Sequence, residues 1–385
     1  KPLPISTRYV SDPLEKEYKA ALQLSLCSNC GVLQILNPID YRQLAPRYDW
    51  IKYNEPEDHL DDVCKSIEEI MGPIKDLSFG GITYKDDTTL ERTKRIGALQ
   101  IWRIDPHKDL GIRKKMFNIE SIQERIRTRR VEQIKNKYGL ADVLLVRHIF
   151  EHTHHTIDFS NSLKRMIKPD GLLIIEVPDC SAGIDYLDYS ILWEEHTYYF
   201  TPKTLARSLE ILGYEIVKFQ CYEYPHENSL VAFARPIKNK KPKGFTNGVF
   251  QNELYGLQRF ADNFSDKKKI LNKKLNMFRL SYGNIAIFGG GHLSCMFINI
   301  LDCASEIKCV IDDDPMKQHL YMPGSKVKIL SSKSLYDFNI RLCLMAVSSA
   351  SEKNIVNNNP EFTSKGGIFT SIFPQNSNNI FNIHL

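Results

Sequence analysis

The chain has 385 residues, 42% hydrophobic and 25% charged, with a net charge of +5. That length is too great for one ordinary core and predicts two or three domains. Basic residues are spread over many segments, which argues against a nucleic-acid surface. No apolar run approaches the roughly 20 residues of a membrane span, and the polar, basic start reads as lacking a secretory leader. Nine scattered cysteines, an odd number, do not form a disulfide framework. A cytoplasmic protein is expected.

In chain order, residues 1–60 contain Cys27-Ser28-Asn29-Cys30-Gly31 before the strand-like Val32–Ile35. A Cys-x-x-Cys knuckle leading into a strand is half of a zinc ribbon. Two readings stay open: free buried thiols, or a zinc site completed by residues upstream of Lys1. The aromatic run Tyr48, Trp50, Tyr53 and His59 is either a substrate wall or a surface cluster.

Over 61–235 the pattern alternates helix and strand. Asp61–Met71 reads as an amphipathic helix, Ile74–Phe79 as a first strand and Ala98–Ile104 as a second. Asp142–Arg147 is a buried strand, Thr156–Ile167 a helix and Leu172–Val177 a further strand. Glu215–Glu223 and Ser229–Arg235 close the domain as an antiparallel pair. Such alternation predicts a mainly parallel sheet covered by helices on both faces, an α/β fold of the Rossmann type. Residues 236–283 begin with a basic, proline-bracketed linker and continue as a long helix. Residues 284–385 alternate again.

Two strand-to-helix turns are rich in glycine. Phe288-Gly289-Gly290-Gly291-His292-Leu293-Ser294 has Gly-x-Gly-x-x-Ser spacing, and Asp312 ends a strand about twenty residues on, where an acid can take ribose hydroxyls. The alternative is a turn that only packs. The earlier turn, Gly80-Gly81 through Asp86-Asp87, is less regular, with Asp105 closing the next strand.

Beyond the strand Leu172–Val177 comes Trp193-Glu194-Glu195-His196-Thr197-Tyr198. A carboxylate beside an imidazole, near the carboxyl end of a parallel sheet, suits proton transfer, because imidazole titrates near neutrality. Arg147-His148-Ile149-Phe150-Glu151-His152 follows another strand, where loops line a cofactor crevice. Glu151 and His152 either touch ligand there or cap the next helix. The histidines of this stretch lack the carboxylate or thiol set of a metal site.

Taken together, the cysteine knuckle, Tyr53-Asn54-Glu55-Pro56, Arg147–His152, Ile175-Glu176-Val177-Pro178-Asp179, Glu195–Phe200, and Asp312-Asp313-Asp314-Pro315-Met316-Lys317 resemble, in this order, the three-domain sugar C-methyltransferases acting on nucleotide-linked keto-deoxysugars. The resemblance implies a zinc-binding N-terminal module (Cys27, Cys30), a class I methyltransferase domain for S-adenosylmethionine, and a C-terminal Rossmann-like domain that helps hold the substrate. It implies His196 as catalytic base, oriented by Glu195. Cofactor contacts are then expected from Gly80, Gly81, Asp86, Asp87, Asp105, His148, Glu151 and His152. Substrate contacts are expected from Tyr48, Trp50, Tyr53, His59, Gly289, Gly291, His292, Asp312 and Lys317. Three features depart from the family pattern: a longer first glycine turn, Trp193 where a tyrosine is usual, and a single cysteine pair.

The expected reaction removes the proton beside a sugar ketone, and the enolate then takes a methyl group. Tyr198 or Tyr48 would hydrogen-bond the enolate oxygen. O- or N-methylation of a related sugar, and a sugar-nucleotide-binding protein without catalysis, are the alternatives. A dinucleotide oxidoreductase built on Gly289–Gly291 lacks paired hydride-transfer residues. The partner is a nucleotide-sugar small molecule, with neither nucleic acid nor membrane, and the protein is a monomer or homodimer.

Overall fold

The computed structural model describes residues 2–51, 55–237 and 247–383. Tyr53 therefore lies outside the described residues, as does most of the proline-bracketed linker.

Near the N-terminus, β1 (Leu24–Leu26) pairs antiparallel with β2 (Leu33–Ile35) around the cysteine knuckle. Amphipathic α1 (Leu60–Met71) follows, burying Leu60, Val63, Cys64 and Ile67. Pro73 opens a 3-10 turn over Ile74–Asp76, so the first sheet strand starts later than expected: β3 is Ser78–Gly81. Next come α2 (Asp87–Ile96) and β4 (Gln100–Arg103). Two helices that the sequence pattern did not announce, α3 (Ile119–Arg125) and α4 (Thr128–Tyr138), lead into β5 (Ala141–Arg147).

Helix α5 (Thr156–Lys164) ends earlier than expected because Ile167 already pairs with Ala141 in the long strand β6 (Ile167–Asp179). The Lys168–Gly171 excursion interrupts that ladder, which resumes at Leu172 opposite Val143. Short β7 (Tyr198–Tyr199), α6 (Pro202–Ile211), β8 (Tyr214–Tyr222) and β9 (Asn228–Pro236) complete this part. The six-stranded sheet has the order β8-β9-β6-β5-β3-β4, parallel from β6 through β4 and closed by antiparallel β9 and β8. Its two faces carry separate apolar cores. One holds Ile82, Leu144, Val146, Ile149 and Ile175, and the other Ile67, Phe79, Val143, Leu145 and Phe233. Each such side chain contributes about 1.5–3 kcal/mol of hydrophobic stabilisation. Crevices at the carboxyl ends of such strands are where ligands bind in open α/β sheets.

Helices α7 (Asn247–Asp262) and α8 (Phe264–Ser281) bridge to a second parallel sheet. This is built from β10 (Asn284–Phe288), β11 (Ile307–Ile311), β12 (Ile329–Leu330), β13 (Ile340–Met345) and β14 (Ile368–Ser371), in the order β12-β11-β10-β13-β14. Helix α9 (His292–Ile300) starts from the second glycine turn. The N-terminal segment does not stand apart. Strand β2 pairs with β7, just beyond Glu195–His196, and Val10 bridges Tyr321 of the C-terminal part. Among the described residues no helix is long and apolar enough to cross a membrane.

Candidate active site

The glycines after β3 serve close packing. A Cβ on Gly80 would run into the Trp102 indole, and one on Gly81 would lie 2.9 Å from Leu90. Thr83 then caps a 3-10 turn over Tyr84–Asp86. The Asp86 carboxylate accepts from the Ile82 and Thr83 N–H groups at 2.7 and 2.9 Å and from the Arg147 N–H at 3.0 Å. Burial nonetheless raises Asp86 to about 7. Asp86 thus ties the turn to β5 internally. Asp87 pairs with Arg103 at 2.6 Å. Asp105 accepts from the Lys108 and His107 N–H groups through Oδ1, which holds it below its ordinary value; its Oδ2 is 3.8 Å from the Lys108 ammonium.

Glu176, an acid inside an apolar strand, is the centre of a buried charge cluster. Arg147 donates to both its oxygens, His148 Nε2 and His59 Nε2 each lie 3.1 Å from Oε1, and Ser229 Oγ donates at 3.0 Å. Burial opposes its ionisation, but these partners hold the carboxyl well below the usual range. His148 adopts a left-handed backbone (φ 46°), uncommon for a side-chain-bearing residue. Burial works against its charge, yet Glu55, Glu151 and Glu176 raise it to about 10. Lys85, buried beneath the first turn, pairs with half-buried Glu55.

The second part of the site forms around His152. Its Nδ1 lies 2.6 Å from Glu120 Oε1 and its Nε2 3.9 Å from Glu151 Oε1. The Trp193–His196 turn closes over it. The His196 N–H donates to Trp193 O, and the His196 ring stands edge-on to His152 with centroids 4.7 Å apart. Glu195 lies with Glu120 and His152, and no hydrogen bond joins it to the His196 ring among the described residues. Orientation of His196 comes instead from Trp193, 4.6 Å away between centroids. Burial, reinforced by nearby His152, His292, His148 and Lys85, keeps the imidazole well below its ordinary value. Burial, with the charges of Glu120 and Glu194, raises Glu195 well above the carboxylate range.

Tyr198 takes a different role from the one expected. Alternation along β7 sends its hydroxyl to Thr156 at 2.8 Å, into the core that also packs Cys27. Tyr199 faces the pair instead, its hydroxyl bridging Trp193 N–H and O at 2.9 Å each. Tyr48 and Trp50 stack 5.2 Å apart, with Trp50 leaning on Tyr9, whose hydroxyl donates to Gly290 O at 2.5 Å. At the second turn, Asp312 is taken up internally by Gly290 N–H and Lys317 Nζ, at 2.8 and 2.9 Å. Gly289 needs its positive φ of 103°, whereas a Cβ on Gly291 would meet nothing within 4 Å. His292 stacks on Trp193 with centroids 4.2 Å apart. Cys27 and Cys30 face each other, but among the described residues no third thiol, imidazole or carboxylate joins them.

The structure therefore brings together His148, Glu151, His152, Glu195, His196 and His292. Tyr198, the Asp312–Lys317 pair and the cysteines make contacts outside that cluster. Lys85, Glu120, Arg147 and Glu176 are additions. Arg147 and Glu176 lay in motifs legible in the sequence, whereas Glu120 carried no signal there.

Comparison with known proteins bears on the whole chain. Residues 246–374 match the C-methyltransferase C-terminal domain family and residues 84–218 a methyltransferase domain family. C-methyltransferase NovU of Streptomyces niveus is 22% identical over 379 residues, covering 92% of this chain and 86% of that protein. Among solved structures, an S-adenosylmethionine-dependent methyltransferase from Anabaena variabilis matches 47% of this chain and 86% of its own, at 12% identity and TM-score 0.31. The 1,6-didemethyltoxoflavin-N1-methyltransferase of Burkholderia thailandensis matches 56% of this chain and all of its own, at 12% identity and TM-score 0.30.

Proposed function

The chain belongs to the C-methyltransferases as a divergent, S-adenosylmethionine-dependent member, and from that premise we propose that it methylates a carbon beside the ketone of a nucleotide-activated sugar, with His196 as proton acceptor. The observation that carries the reading is the placement of the His196 ring, edge-on to His152 with centroids 4.7 Å apart and 4.6 Å from Trp193, where burial first, and then neighbouring imidazoles and Lys85, favour its neutral form. Its lone pair is available at neutral pH. The enolate formed on proton removal is an anion, and cationic His148 and Lys85 lie close enough to depress the His196 pKa. Such preorganised charge stabilises an enolate more strongly in a buried site than in water.

The residues present fit S-adenosylmethionine at its ribose end. Asp105, just past the end of β4, has its pKa lowered by the Lys108 and His107 N–H groups, and among the described residues its Oδ2 has no hydrogen-bond donor, the chemistry a ribose diol needs. Because Asp86 already engages the Ile82 and Thr83 N–H groups, the methionine end falls to Asp87 and the His148–His152 segment. The cofactor supplies the electrophilic methyl group. The nucleotide diphosphate of the acceptor would approach Gly291 and the start of α9, where open space and outward N–H groups suit an anion.

Hydrogen–deuterium exchange tests the assignment. Wild-type protein should wash deuterium from D2O into the position beside the ketone of a nucleotide-linked 4-keto sugar. His196→Gln should lose both exchange and methyl transfer while calorimetry shows unchanged S-adenosylmethionine binding. Wild-type exchange in that variant would overturn the role of His196.

A further inference from the structure

Three carboxylates, Glu120, Glu151 and Glu195, are buried beside the His152 imidazole, and Glu194 is buried next to Glu195 in the chain. Glu120 Oε2, Glu151 Oε2 and Glu194 Oε2 have no hydrogen-bond partner among the described residues. An acceptor oxygen buried in this way costs about 1–3 kcal/mol or more unless something positive reaches it. One ligand atom each from Glu151, His152 and His196 falls within 4.8 Å of the others, and so does one each from Glu120, His152 and Glu195.

The hydrogen bonding around His152 selects between these two sets. Glu120 Oε1 lies on Nδ1 at 2.6 Å, which leaves Nε2 directed toward Glu151 and the His196 ring. Metal-bound histidines are typically oriented by a carboxylate on their far nitrogen in this manner. Two imidazoles and one carboxylate are a set that divalent first-row transition ions accept, at about 2.0–2.2 Å from each atom once the side chains close in.

We propose that Glu151, His152 and His196 bind a divalent transition-metal ion, with Glu120 orienting His152 and Glu195 completing the charge balance. This goes beyond the methyl-transfer reading and does not depend on it. An ion there engages the His196 lone pair, so metal occupancy and proton abstraction exclude each other, and the bound ion silences turnover.

Cobalt(II) binding to the full chain, with neither cofactor nor substrate present, tests the proposal. A Cys27→Ser/Cys30→Ser variant removes the competing thiols. It should still bind one ion per chain, with visible d–d bands and no near-ultraviolet thiolate band. Glu151→Gln and His152→Ala in that background should each weaken binding at least tenfold, and Glu120→Gln about 10–100-fold, as for other carboxylates supporting a ligand histidine. X-ray absorption of the cobalt-loaded cysteine variant guards against misfolding of the ligand variants, because it reads imidazole and oxygen scattering with the three ligands intact. Absence of binding in the cysteine variant, or a coordination shell without imidazole, overturns the site. The exchange assay with His196→Gln fails or succeeds independently of either outcome.

Discussion

The indole of Trp193 lies on the imidazole of His292, the ring planes 15° apart and the centroids separated by 4.2 Å. The same indole donates its Nε1–H to Ser6 Oγ at 3.0 Å. One side chain thus joins the N-terminal segment, the Glu–His turn and the start of α9. A tyrosine in its place could stack but could not reach the same acceptor through a ring N–H.

Trp193→Phe should keep the stack and lose the indole hydrogen bond, costing about 1 kcal/mol. His292→Ala should remove the stack, a further 0.5–1.5 kcal/mol or so. A double-mutant cycle over Trp193 and His292, followed by urea unfolding, should return a coupling of about 1 kcal/mol. Additive losses would show that the two rings touch without holding each other.

Glu176 serves Arg147, His148, His59 and Ser229 at once. Replacing it with Gln leaves a guanidinium and a charged imidazole buried without a counter-charge. Loss of one partner from a buried ion pair costs about 3–5 kcal/mol. Glu176→Gln should lower the denaturation midpoint far more than Glu132→Gln, whose partner Arg165 is half exposed.

Asp86 gives a pH dependence of definite sign. Its folded pKa of about 7 stands above the ordinary aspartate value, so the folded state binds the proton more tightly. The resulting stability is complete below the ordinary value and is lost as pH rises through about 7. Asp86→Asn should flatten the slope of melting temperature against pH between roughly 4 and 7. An unchanged slope would mean that Asp86 is ionised throughout.

Gly80→Ala pushes a methyl into the Trp102 indole. Overpacking of this kind costs about 1–3 kcal/mol. Trp102→Leu alone should destabilise by leaving a void beside Tyr138, its stacking partner. Combining the two should cost less than the sum of the single losses, as measured by thermal melts.

Much of the fold was legible because it rests on local pattern. The apolar runs at 142–147 and 172–177 are strands buried on both faces, and the second glycine turn begins a helix as its spacing predicts. Helices α3 and α4 were not legible, because their buried positions are few; α4 buries only Val131 and Ile134 in an otherwise charged stretch. Ile74 looked like strand, but the preceding Pro73 starts a 3-10 turn that turns it into the core. Of the site, the Glu–His pair, His148, Glu151, His152 and His292 were named from the sequence, whereas Lys85 and Glu120 were not, because their contacts join distant segments. The contact from His152 to Glu120 spans 32 residues and that from Trp193 to Ser6 spans 187. Which of Tyr198 and Tyr199 faces inward depends on the phase of a two-residue strand, set by its pairing with Leu33 and Gln34.

That pairing, together with the Trp193–His292 stack, bears on biosynthesis. Strand β2 is made early, the Glu–His turn midway, and His292 three-quarters of the way along the chain. A nascent polypeptide still missing its last hundred residues on the ribosome can assemble the first sheet, but the Trp193 side chain then has no stacking partner. The site is therefore completed late in translation, and a truncated product would carry every proposed catalytic group without the ring that holds their turn in place.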